Sequence, residues 1–73
     1  MYESHYRHPK EWYVGKTIRI VRMDGEKNYD GRIGVCNYTD DLGQLHGSWG
    51  GLAIQDRDEF EVIEDGKVVE ENP

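Results

Sequence analysis

The residues of this chain best suited to metal or nucleophilic chemistry are His5, His8, His46 and Cys36, and those best suited to acid–base work are the carboxylates Asp56, Asp58, Glu59 and Glu61. The His5-x-x-His8 spacing could bring two imidazoles together, with His46 as a third ligand. Zinc takes four protein ligands, or three and a water, in a rigid frame. This pair sits in a stretch with no hydrophobic period and Pro9 follows it, so neither a metal nor a cofactor is expected. The acidic run lacks the spacing of a calcium-binding EF-hand loop. It also lacks an evident cleft for a general acid and base, and reads as a solvated turn. Cys36 could be a nucleophile with His46 on a neighbouring strand, but no third group to orient the base is evident. A half-buried structural thiol is the default. Gly43, Gly47, Gly50 and Gly51 do not make a phosphate loop, which ends in Lys and Ser/Thr and opens a helix. No catalytic residue is assigned and no enzyme is expected.

What is left is recognition by a surface. Tyr29 lies in the loop Asp24 to Asp30, Tyr38 ends a strand, and Trp49 follows the glycine at position 47. Aromatic side chains in a groove stack on extended peptides or on bases. The competing reading keeps Trp49 in the core and leaves the tyrosines as ordinary surface. An alternative site is a basic patch of Lys16, Arg19, Arg22 and Arg32 that meets phosphates.

Charge bears on that choice. The net charge is −6, placed unevenly. Residues 1–38 hold seven Lys/Arg and five Asp/Glu, a balance of +2, and residues 39–73 hold two and ten, a balance of −8. Nonspecific nucleic-acid binding needs clustered cations, so the acidic total makes nucleic acid the weaker partner. The leading expectation is a noncatalytic module that binds an unknown protein or peptide.

The elements that would position these residues are short. Seventy-three residues form one domain, which buries about 60% of the surface of its unfolded chain. The single cysteine excludes an internal disulfide framework and fits a reducing cytoplasm. No apolar stretch reaches bilayer length and no signal-peptide core opens the chain, so a cytoplasmic monomer is expected, away from membranes.

Residues 1–13 read as a mobile start, with Trp12 or Tyr13 docked at its end. The first strand is 14–23, with Ile18 and Ile20 on one face and Thr17, Arg19 and Val21 on the other. Residues 24–31 form a loop. The second strand is 32–38, with Ile33 and Val35 expected inward and a bulge or close contact at Gly34. A hairpin loop at 39–43 puts Gly43 in the left-handed position, and the third strand, 44–49, places Leu45, Gly47 and Trp49 on one face. Gly50-Gly51 reads as a two-residue turn into a fourth strand at 52–55, with Trp49 buried between Leu45 and Leu52. After a polar turn the fifth strand, 60–64, points Phe60 and Val62 inward. Asp65-Gly66 is a hairpin signal that would pair 67–70 back on it, against a frayed tail as the alternative. The sum is an all-β chain: a small five-stranded antiparallel SH3-like barrel over 14–64, with a hairpin or tail at 65–73.

One family pattern runs through these strands. "GKTIRIVRMDG", "GRIGV", "DDLGQLHGSWGGLAI" and "DEFEVI" together resemble the Domain of Unknown Function 4314 family, small domains of bacteria and phages. The residues that carry it are Met23-Asp24, Gly31, Gly34, Asp41, Gly43, Trp49, Leu52-Ala53-Ile54 and Asp58, Phe60, Val62 and Ile63, over residues 15–63. The loop 24–31 departs by lacking a proline-rich stretch, and the connection at Gly50-Gly51 is shorter. The resemblance implies an SH3-like barrel and an accessory protein of phages or conjugative elements. It implies no activity, because the matching residues are turn formers and core.

Overall fold

The computed structural model describes residues 6–55 and 57–72. The chain is all-β. Six antiparallel strands, β1 (Thr17–Arg22), β2 (Ile33–Thr39), β3 (Leu45–Gly47), β4 (Gly50–Ile54), β5 (Glu59–Glu64) and β6 (Lys67–Asn72), form one sheet in the order β4-β3-β2-β1-β5-β6. Single 3₁₀ turns at Lys10–Tyr13 and Lys27–Tyr29 precede β1 and β2. The sixth strand is the hairpin extension expected after Asp65-Gly66, but the sheet is not the closed barrel expected: β4 and β6 are its ends and no pairing joins them among the described residues.

β2 changes partner along its length. Ile33, Gly34 and Val35 pair with β1, while Cys36, Tyr38 and Thr39 pair with β3. Four of the five pairings carry a bulge or register shift. Bulges bend a strand and increase its twist, so the sheet curls over one core. That core is Tyr13, Ile18, Ile20, Met23, Cys36, Leu45, Trp49, Ile54, Phe60 and Val62. The alternation read for β1 and β5 is the one observed, with Ile18 and Ile20 facing Val62 and Phe60 across the ladder. Tyr13 is docked and fully buried. Its hydroxyl donates to Glu70 of β6 at 3.0 Å, and His8 meets the other oxygen of the same carboxylate at 3.3 Å.

β2 is turned over relative to the expectation. Ile33 is 57% exposed and Val35 41% exposed, while Gly34 and Cys36 face the core. A one-residue change of register moves every side chain to the opposite face. The cause is space. A Cβ on Gly34 would stand 2.5 Å from the backbone nitrogen of Trp49, and one on Gly47 would stand 2.6 Å from Cη2 of its indole. The indole and its turn fill the inner face above these two glycines, so small residues must lie beneath them. Trp49 is buried as expected, but Leu52 is 41% exposed and does not sandwich it.

The turn itself is also displaced. Gly47 pairs with Gly50, so the two-residue loop is Ser48-Trp49, and Gly50 and Gly51 open β4. Ser48 ties this loop to β2: its N–H donates to the Val35 carbonyl at 3.1 Å, and its hydroxyl accepts from the Val35 N–H at 2.9 Å. The Asp65-Gly66 signal is realised in full. Both residues have positive φ, 53° and 76°, which matches the handedness that two-residue hairpins require, and β6 follows.

Two outcomes test this packing. Trp49→Ala should cost about 3–5 kcal/mol, the range for removing a large buried aromatic, and abolish a cooperative thermal transition near the parent midpoint. Gly47→Ala should lower Tm by roughly 5–20 °C, from about 1–3 kcal/mol of overpacking. Gly51→Ala should leave Tm unchanged or raise it, because a Cβ there meets no atom within 4 Å and φ is not positive.

Candidate functional site

A half-open groove of about 400 Å³ runs beside β4. One wall is β4 itself, through Gly51, Leu52 and Ala53, with Gln44 and His46 from the β3 side. The other wall is Asp24 and Glu26 from the loop after β1, with Arg57 and Asp58 from the connection between β4 and β5. Buried Met23 contributes to the lining.

Each wall is held by a carboxylate. Asp58 is 3% exposed, and its two oxygens accept from the Asp24 N–H at 3.1 Å and the Gln55 N–H at 2.9 Å. It thus clamps the β1 end to the β4–β5 connection. The reading of Asp56 to Glu61 as a solvated acidic turn is corrected here. Asp58 is buried, and Glu59 and Glu61 are ion-paired with Arg22 and Arg19. Asp56 lies outside the described residues.

The second carboxylate is Asp40. One oxygen accepts from the N–H groups of Leu42 and Gln44, both at 2.9 Å, and the other meets His46 Nε2 at 2.8 Å. This is an Asx-type turn, with Gly43 at φ 80° inside it. The His46 ring lies parallel to Tyr38, 4.5 Å between centroids and 1° between planes. Tyr38 and His46 are direct cross-strand partners, so the imidazole wall is braced on both sides. The hydrogen bond to His46, and next that from the Gln44 N–H, hold the Asp40 carboxyl below its ordinary range.

The three aromatics singled out from sequence occupy three different settings. Tyr38 is 55% exposed. Tyr29 is half-buried beneath the Arg32 guanidinium, 4.0 Å from its ring centroid. Trp49 is a core residue whose indole N–H donates to the Leu52 carbonyl at 2.9 Å. Of the three, only Tyr38 adjoins the groove, through His46.

The basic residues are matched within the fold. Arg19 and Arg22 of β1 pair with Glu61 and Glu59 of β5, and Lys16 lies 3.6 Å from Glu64 and 4.7 Å from the centroid of the Trp12 ring. Arg32 donates to the Trp49 carbonyl at 3.0 Å and holds the turn.

His5 lies outside the described residues, and His8 and His46 are engaged by different carboxylates, Glu70 and Asp40. Cys36 is fully buried rather than half-buried, and burial pushes its thiol up, away from the thiolate a nucleophile needs. Among the described residues no helix is long and apolar enough to cross a membrane.

The Asp40 bracing has a pH signature. A carboxylate with a folded-state pKa below its unfolded value adds stability that is present above the unfolded pKa, about 3.9, and lost as pH falls through the folded one. The Tm difference between the parent and Asp40→Asn should therefore be largest near pH ~5 and close as pH falls toward ~2. A difference that stays constant over this window would show that Asp40 has no lowered pKa.

Against protein-family models, curated proteins and solved structures, the chain matches none.

Proposed function

We propose that this chain is a small noncatalytic binding module of SH3-like type that takes an extended polypeptide segment in the groove beside β4. The observation that carries the reading is the groove itself, about 400 Å³, with its two walls fixed by Asp58 and Asp40. Pre-formed concave sites with a few placed polar groups are where ligands bind. The strand order β4-β3-β2-β1-β5 supports the SH3-like description, with β6 as an added strand. Membership of the Domain of Unknown Function 4314 family is part of the same proposal, as are a cytoplasmic location, a monomeric state and an accessory role in a phage or conjugative element. The family assignment rests on the motifs in residues 15–63.

The ion pairs of Lys16, Arg19 and Arg22 with β5 weigh against the nucleic-acid alternative. A patch that meets phosphates needs cations with charge to offer, and here Glu59, Glu61 and Glu64 stand among them.

The test is selection of ligands from a random peptide library displayed on phage, followed by titration of the isotope-labelled protein with the selected peptides. Amide resonances of Glu26, His46, Leu52 and Ala53 should shift, and those of Arg19 and Glu61 should stay. Failure to select any peptide would sink the proposal. So would salt-sensitive oligonucleotide binding, at physiological ionic strength, that weakens in Arg19→Gln.

A further inference from the structure

The two ends of the sheet are protected very differently. Edge strands are templates for pairing with another chain, and proteins guard them with charges, proline or a covering segment. β6, sequence KVVEEN, carries Lys67, Glu70 and Glu71. β4, sequence GGLAI, carries no charge and no proline. Among the described residues it is paired on one side only, with β3, and its Leu52 and Ile54 carbonyls accept from the Trp49 indole N–H and the Tyr6 hydroxyl. Along it runs the groove, and a Cβ built on Gly51 would meet nothing within 4 Å. Five strand residues span about 17 Å, the length of a short extended peptide.

The far wall of that groove is acidic. Asp24 and Glu26 are exposed on it, and Asp58 stands behind them. Among the described residues of the lining Arg57 is the one Lys or Arg, and it lies 3.8 Å from Asp24. A second copy of this chain would bring the same acidic wall against itself, with a net charge of −6 on each partner. Like charges set face to face disfavour such a pairing. A cationic segment meets complementary charge instead.

We propose that the outer edge of β4 accepts a seventh, extended strand from a partner polypeptide bearing Lys or Arg, laid along the groove with its cationic side chains toward Asp24 and Glu26. This rests on the reading of the groove as a peptide site and adds the mode of binding and the chemistry of the ligand. The backbone ladder supplies affinity, and the carboxylates select among strands.

Strand addition leaves a signature that other peptide modes lack. In an antiparallel or parallel strand the N–H groups of alternate residues point to the same side. Peptides selected from the library should therefore alternate Lys or Arg with apolar residues. N-methylation of one alternate set of their amides should weaken binding about tenfold or more, the loss of at least one bond to the ladder. N-methylation of the complementary set should be tolerated. The protein variant Glu26→Lys, at an exposed position, should weaken binding about two- to fivefold, with an unchanged circular dichroism spectrum. Leu52→Lys, which puts a charge on the edge, should weaken it as well.

Equal tolerance of both methylated sets, with resonance shifts still at the groove, would overturn strand addition and leave the binding-module reading standing. Selection of acidic peptides would overturn the ligand chemistry. Selection of no peptide would remove both readings together. A dimer in sedimentation equilibrium that Leu52→Lys dissociates would assign the edge to a second copy and overturn the proposal.

Discussion

An indole must lie against the inner face of this sheet, and the space for it exists only above glycine. Trp49 sits over Gly47, and its backbone nitrogen stands where a side chain on Gly34 would be. From that single fit much of the architecture follows. It forces β2 to present Gly34 and Cys36 inward and leaves Ile33 and Val35 outside. It also places the turn at Ser48-Trp49, which Ser48 fastens to Val35 and Arg32 fastens through the Trp49 carbonyl. The indole N–H in turn reaches Leu52, so the same residue aligns the first half of β4. A core of this size has few large side chains, and removing one takes away a sizeable part of a marginal stability.

Electrostatics then sorts the outer surface. The basic first half of the sequence and its acidic second half meet across the β1–β5 ladder, where Arg19 stands directly opposite Glu61 and Arg22 opposite Glu59. Like-for-unlike pairing across strands reinforces register, and exposed pairs of this kind add little stability each. What the pairing removes is a free cationic face. Three carboxylates without an arginine partner on β1, Asp24, Glu26 and Asp58, line the groove.

Much of the fold was legible because local signals agreed with each other. The alternation of Ile18 and Ile20, the inward Phe60 and Val62, the left-handed Gly43 and the Asp65-Gly66 turn are each fixed by neighbours in sequence. β2 was not legible, because Ile33 and Val35 are the apolar residues and alternation alone does not tell which face is covered. The decisive contact comes from Trp49, fifteen residues beyond Gly34, and a strand pattern carries no record of it. The candidate site was legible only in pieces. Tyr38 and the loop 24–30 were read as binding elements, but the groove needs Asp58 turned inward to join two loops thirty-four residues apart. In sequence Asp58 is one carboxylate in an acidic run, and its burial is a tertiary fact. The spacing of Asp40 to Gln44 did hold a usable signal, since an Asp at the start of a tight turn caps the amides that follow it.

The strand order has a consequence for the route by which the chain reaches this structure. Of the five pairings among the described residues, four join strands that are neighbours in sequence, and each can close as a hairpin over a short loop. The fifth, β1 with β5, brings Thr17 to Ile63. Closing a long loop is the step whose entropy is not repaid until distant contacts form. The topology therefore concentrates its non-local search in one event, the meeting of Ile18 and Ile20 with Val62 and Phe60. The buried centre of the folded protein is also the place where its two halves first have to find one another.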